Sequence, residues 1–448
     1  MPDLLDPLGD AGDPDAILGD ESWLRTMVEV EVALVRALEA QQLLPPAVLP
    51  VAEALSTVEL DAASIASASR LGGNPVIPLV MQLGSAADRI LEGASDQLHL
   101  GATSQDILDS AAMTIGRRVA DRVARELTAL IRTLAGLADT HRSTPMSGRT
   151  LGQHASPVTF GLVVAGWLDG MLAARERLVA VGERLPVQYG GAVGSRAILY
   201  ELVRERRSDA DADAVVAGVV GALADSLDLR AAVPWQSNRM PIVELGSALA
   251  AVVGAVGWMA ADLNVLSRTE IAEVSERLGA GEGGSSAMPH KRNPVTSVLL
   301  VSAARRSPGL VATLFQAQVT EDQRSTGAWH SEWQTLRELE RLAIQASATA
   351  ADLAERIEVD VARMRTNLEF TDGLITSATA DEKPELIEQI VAAPGGNKLG
   401  EFSMTDARLS RIDRFMASNG EYLRETQPQY KGGGKQTRFL LGTWYKER

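Results

Sequence analysis

The chain has 448 residues, enough for two or three domains or for one long helical body. Its formal net charge of −15 argues against a broad nucleic-acid or anionic-membrane surface, though cations gathered in one cleft would still bind a small anion. The absence of cysteine excludes a disulfide framework, thiolate metal sites and cysteine nucleophiles, and the five scattered histidines form no HExxH pair.

The opening Met-Pro-Asp-Leu-Leu-Asp lacks the basic and apolar regions of a signal peptide, so a cytoplasmic protein is expected. Residues 20–42 carry Trp23, Met27, Val30, Leu34 and Leu38 at helical spacing, and Pro45 and Pro46 end the pattern. A second, alanine-rich helix is predicted over 47–69 and a third over 76–92, separated by Gly72-Gly73-Asn74-Pro75. After His99-Leu100-Gly101-Ala102, Thr103 or Ser104 would cap a long helix over 107–140 and leave its first amides free for a carboxylate. A polar break at 143–153 precedes helices over 157–183, 211–227, 241–279 and 295–320, the last with a kink or break expected at Pro308. The run Leu245–Leu263 is apolar enough to raise the membrane question, but it is rich in Gly and Ala and closed by Asp262 and Asn264. Burial in a bundle is the better reading. Strand-like alternation is almost absent, so an all-α body of long antiparallel helices is predicted, of the kind that packs against copies of itself.

Residues 281–294, Gly-Glu-Gly-Gly-Ser-Ser-Ala-Met-Pro-His-Lys-Arg-Asn-Pro, stop looking structural. Glycines and prolines forbid a helix interior there, and two serines, an imidazole, two cations and a carboxamide crowd between them. A connector with a solvated basic end is the bland reading. Against it, Lys291 is the only lysine before Lys383 in a chain that otherwise takes its positive charge from arginine. The pattern fits a loop that closes over an anion. Beyond residue 380 lie five of the six lysines and seven of the eighteen aromatics, which places a compositional boundary near 376–397, with one further amphipathic helix around 405–418.

Singly, the other polar breaks are weak. A Ser or Thr before a helix is usually a cap, and Asn74 beside glycines is usually a turn residue. His99 and His141 read as surface or hydrogen-bonding histidines, His330 as packing between Trp329 and Trp333, and Glu321, Asp322 and Arg324 as a solvated face. A Ser-His-Asp hydrolase is disfavoured for want of GxSxG, and a P-loop is excluded.

Together the breaks carry a resemblance. Gly284–Pro294 matches the pattern GSSxMPxKxNP of the fumarase/aspartase superfamily, and Gly101–Asp106 and Gly148–Ala155 resemble its first and second substrate-binding turns, in the expected order. The likeness runs from about residue 10 to 375. Within the superfamily, Gly73–Leu79, Gly101–Asp106, Gln153-His154-Ala155 and Gly327–Trp333 look like the 3-carboxy-cis,cis-muconate cycloisomerase branch. Adenylosuccinate lyases share MPHKRNP but carry RTHGQ in the second turn, with a catalytic histidine where this chain has Leu151.

What the resemblance implies is an all-α, fumarase/aspartase-like three-domain fold with a long central bundle and an atypical C-terminal part. The expected segments are residues 1–105, 106–360 and 361–448. It implies proton transfer at the carbon α to a carboxylate by Ser285, with Lys291 and Asn293 polarising that carboxylate. Thr103, Ser104 and Gln105 would bind another carboxylate. Asn74, Arg149, His154, Ser286, Met288, Arg292 and His330 are the remaining substrate-binding candidates. It implies no metal or organic cofactor, a small polycarboxylate as substrate, and a homotetramer whose sites are shared among three subunits, with neither nucleic acid nor membrane as partner. Leu151 fits a cycloisomerase: lactone opening expels a carboxylate, whose conjugate acid ionises near ~4, so no acid need protonate it. An adenylosuccinate lyase-like elimination enzyme and a catalytically impaired structural oligomer are the alternatives.

Overall fold

The computed structural model describes residues 4–279, 281–284, 288 and 291–369. The predicted boundary at 376–397 and the helix at 405–418 lie outside the described residues. The chain opens with α1 (Asp15–Leu18), α2 (Asp20–Ala40), α3 (Val48–Leu55), α4 (Ala62–Gly72) and α5 (Val76–Ile90). The single helix expected over 47–69 is thus two, because Asp61 takes the Ser64 amide and starts a new one. Gly73 closes α4 with φ +72°, and Asn74 starts α5 by accepting the Val76 amide at 3.1 Å.

The long helices follow: α6 (Ser104–Thr140), α7 (Phe160–Gly182), α10 (Met240–Leu266), α11 (Val295–Ala317) and α12 (Ala328–Glu355), with α8 (Ala197–Arg206) and α9 (Ala212–Ser226) between. α10 ends at Leu266, well short of the predicted 279. The chain then turns through Ala272 at φ +51° and forms strand β3 (Val274–Glu276). α11 runs through Pro308 without the expected break. α12 has its own apolar stripe, including Leu336, Leu339, Ala343, Ala346, Ala350 and Leu353, all buried.

The near-absence of strands also needs correcting. Between α6 and α7 the polar break is an antiparallel hairpin, β1 (Pro145–Thr150) and β2 (Gln153–Thr159). β3 pairs with β4 (Ile357–Val359), and α13 (Val361–Glu369) packs beside β1. The body remains helical, as its sequence pattern requires.

Two cores hold the molecule. One joins α2, α3, α5, α8 and α9 to the start of α6, so the N-terminal body draws in residues 197–226 from the middle of the chain. The other is the bundle of α6, α7, α10, α11 and α12, where Trp167, Leu249, Val253 and Leu339 are fully buried. The apolar stretch of α10 sits mostly in this core, whereas α11 leaves Val298 and Phe315 half exposed.

Helix direction sets the place of every polar break. Arg239, just before α10, bonds Asp109 on α6 and Glu332 on α12, so these three helices start at one end of the bundle. At the other end α6 feeds the hairpin, Glu273 after α10 reaches Arg149, and the Arg277 amide bonds the Arg356 carbonyl after α12. The 37 residues of α6 separate the two ends by about 55 Å.

Candidate active site

At the starting end, Gly101 (φ +70°) brings the chain into Thr103, Ser104 and Gln105. A β-carbon at Gly101 would lie 2.7 Å from the Tyr189 hydroxyl, so the turn needs glycine. Asp106 fixes this turn against the glycine-rich turn at 189–194. Its buried carboxylate accepts the amides of Thr103 (3.0 Å), Gly190 (2.8 Å) and Gly191 (2.9 Å) and the Gln188 side-chain amide (3.2 Å). Burial pushes its pKa up to about 6 against the pull of those donors, and four donors on one carboxyl favour the ionised form at neutral pH.

Thr103 offers its hydroxyl oxygen to Arg324 at 2.7 Å. This corrects the reading of Arg324 as part of a solvated face: its Nε is buried without a partner among the described residues, and its guanidinium also reaches toward the Ala192 carbonyl. A cation beside Thr103 at the start of α6 is what a bound carboxylate needs. His330 lies in the same quarter, its Nε2 3.1 Å from the Gly73 carbonyl and its ring against Trp329 and Trp333. Asn74 spends its side-chain oxygen on the amides of α5 and is nearly buried.

Gln105 does not fit the role expected of it. It is 1% exposed, and its amide nitrogen donates to Asp109 (3.2 Å) and to the Gln236 carbonyl (3.0 Å). Only an acceptor oxygen is left over, which repels a carboxylate. Behind it, Arg239 lies between Asp109 and Glu332, with all three side chains buried.

At the far end, Thr150 pairs with Gln153, so Leu151 and Gly152 form a two-residue hairpin loop. Both have positive φ (51° and 80°), the type I′ geometry, and the Leu151 side chain is fully exposed at the tip. Arg149 forms two bonds to Glu273, at 2.6 and 2.9 Å, and a third to the Ser147 carbonyl. The expectation that Arg149 meets a substrate carboxylate does not suit this arrangement, because its two terminal nitrogens are occupied. His154 sits opposite Arg149 across the hairpin; burial first, then the Arg149 charge, lowers its pKa, with Glu273 acting the other way.

The 281–294 loop leaves from the same end. The amide and side-chain nitrogens of Asn293 both donate to the Gly283 carbonyl at 3.0 Å, closing the loop at its base. The Lys291 amide bonds the Met288 carbonyl, and Lys291, Arg292 and Met288 are exposed. Glu276 caps α11 through the amides of Thr296 and Ser297. Ser285, Ser286 and His290 lie outside the described residues.

The predicted residues therefore form two groups. Asn74, Thr103, Ser104, Gln105 and His330 stand at one end of the bundle, and Arg149, His154, Met288, Lys291, Arg292 and Asn293 at the other.

Comparison with known proteins gives the family. Residues 74–309 match the lyase family. The chain is 44% identical over 377 residues to nitrosuccinate lyase of Streptomyces davaonensis, covering 84% of this chain and 78% of that one. It is 42% identical over 363 residues to 3-carboxy-cis,cis-muconate cycloisomerase of Pseudomonas aeruginosa, covering 80% and 76%. The crystal structure of 3-carboxy-cis,cis-muconate lactonizing enzyme from Pseudomonas putida superposes with a TM-score of 0.73 at 36% identity, over 92% of this chain and 91% of that one. The chain belongs to this lyase family, the fumarase/aspartase superfamily, and shares its fold.

Proposed function

We propose that the protein catalyses addition and elimination across a carbon–carbon double bond of a small polycarboxylate, expelling a group that leaves as an anion. The particular reaction proposed is the interconversion of 3-carboxy-cis,cis-muconate and γ-carboxymuconolactone in protocatechuate catabolism. The observation that carries it is Leu151, an exposed apolar tip on the hairpin where a lyase expelling an amine would present an acid. A carboxylate leaving group needs no proton.

In the lactonising direction a substrate carboxylate oxygen bonds to its own diene, and proximity supplies much of the rate. The electron pair displaced onto the α carbon is held as a dianionic carboxylate by Lys291 and Asn293, and Ser285 delivers the proton there. Thr103 and Arg324 hold a second carboxylate. His154, Arg292 and His330 are the candidates for the remaining carboxylate charge. The two residue groups lie about 55 Å apart in one subunit. A complete site would therefore draw these two groups from different subunits, within the tetramer with sites shared among three subunits that the resemblance implies, with the exposed face of α11 covered by a second copy.

A second reading, nitrosuccinate elimination, is favoured by the 44% identity to a nitrosuccinate lyase. It would give fumarate and nitrite. Nitrite also leaves without a proton, so Leu151 accommodates both substrates. One experiment separates them: loss of the muconate chromophore, nitrite release from nitrosuccinate, and cleavage of adenylosuccinate are followed side by side on the purified protein. Muconate turnover in excess of the other two is expected. Nitrite release alone selects the second reading, and turnover of adenylosuccinate alone overturns both.

A further inference from the structure

Glu273 lies between α10 and β3, and its carboxylate is shared. Arg149 of β1 takes both oxygens, at 2.6 and 2.9 Å, while Asn367 of α13 donates to Oε1 at 2.8 Å. The side chain is fully buried. Asn367 also donates to the Ile271 carbonyl at 2.8 Å, and Arg363, one turn earlier on α13, donates to the carbonyls of Ile271 (3.0 Å) and Glu270 (2.9 Å). Between these anchors Ala272 is held at φ +51°, a left-handed conformation that a residue with a β-carbon keeps only where its surroundings dictate it. The Glu273 carbonyl takes the Asp360 amide, which fixes the chain just before α13 to the same residue.

The geometry points to Glu273 as a positioning residue that couples α13 to the β1–β2 hairpin, with Asn367 as the link: a displacement of α13 is passed through one carboxylate to Arg149 and, across the strand pair, to His154. The functional weight of this coupling rests on the reading that the hairpin belongs to the active site; the coupling itself does not. An ordinary buried ion pair would need only Arg149 and Glu273. The third donor, from an element that begins 85 residues further along the chain than β3 ends, is what makes the pair responsive to α13.

The charged side chains in this cluster are Arg149 from β1, Glu273 from the segment after α10, and Arg363 from α13. They give a readout that needs no substrate. In the intact protein carrying 13Cε1-labelled histidine, the signals of the five histidines are followed with pH, and a His154→Asn variant assigns the signal of interest. Asn367→Asp sets a second carboxylate against Glu273 and is expected to raise the His154 midpoint by about 0.5 unit or more; Glu273→Gln leaves Arg149 uncompensated and is expected to lower it by a similar amount. Asn367→Ala, which removes only the link, is expected to broaden the His154 signal and raise KM several-fold with kcat little changed. Arg363→Gln, which loosens α13 without touching Glu273, controls for general destabilisation. A His154 signal in Asn367→Ala with the midpoint and linewidth of the parent overturns the coupling, whatever the melting temperature of the variant. If Glu273→Gln fails to fold, the Asn367 pair decides alone. An unaltered protein that turns over neither muconate nor nitrosuccinate counts against the proposed function and leaves the titration result standing.

Discussion

Arg324 donates to the Thr103 hydroxyl at 2.7 Å across 221 residues of chain, and so delivers a cation to the start of α6. Its Nε is buried and has no hydrogen-bond partner among the described residues. Arg324→Gln removes the charge and keeps much of the shape. A lost charge-assisted hydrogen bond is worth about 1.5–3 kcal/mol, so KM for the polycarboxylate substrate is expected to rise roughly 10- to 100-fold. Thr103→Val, which loses only the neutral partner, should cost less. Steady-state kinetics of the two variants check the order.

The separation of Thr103 from Lys291 by the length of the bundle has a consequence for mixed oligomers. An Arg324→Gln subunit and a Lys291→Ala subunit, each of low activity alone at substrate concentrations well below KM, should restore activity there when assembled together, because some sites then draw both intact ends from different chains. Random equal mixing gives roughly a quarter of sites with both intact (one half times one half). Activity of co-expressed, doubly tagged oligomers measures this. Strictly additive residual activity would mean that one chain builds the whole site.

Much of this arrangement is legible in the sequence, and the reasons for the rest are physical. The long helices declare themselves by apolar spacing, and the 281–294 loop by residues no helix tolerates. The hairpin does not, since Pro145, Ser147 and Gly148 are poor strand formers and the turn carries Leu-Gly in place of Asn-Gly. Arg324 is hidden for another reason: beside Glu321 and Asp322 it resembles surface charge, and only the fold brings Thr103 to it. Gln105 misleads in the opposite sense, because its position in the turn is right while Asp109 and Gln236 have already taken its donors.

Arg239 joins three helices at the starting end. It meets Asp109 at 2.7 Å and Glu332 at 2.6 Å, and stacks over Trp235 at 4.8 Å. Burial pushes the Glu332 carboxyl up to about 7 despite the guanidinium beside it. Arg239→Met would leave two buried carboxyls facing each other, at a cost of about 3–5 kcal/mol. A fall in urea midpoint of that size is expected, together with loss of Gln105 order, since Gln105 hangs on Asp109. A Glu332→Gln change in the Arg239→Met background should recover part of the loss by removing one of the charges.

Glu340 is a buried acid inside the bundle. It is 0% exposed, both carboxyl oxygens lack a partner among the described residues, and it faces the glycine notch of α6 at Gly116. Burial drives its pKa from 4.5 up to about 8, with Arg337 opposing weakly. The sign follows from linkage. Below pH ~4.5 the carboxyl is neutral in both folded and unfolded chains and costs little. As pH rises the unfolded chain ionises while the folded one stays neutral, so stability falls by about 1.4 kcal/mol per pH unit until pH reaches the folded value near 8, and then levels off. Glu340→Met keeps the volume and removes the titration. Its melting temperature relative to the parent should therefore climb steadily from pH 5 to pH 8 and flatten above. A constant difference across that range would show that the carboxyl ionises as readily inside the bundle as in water.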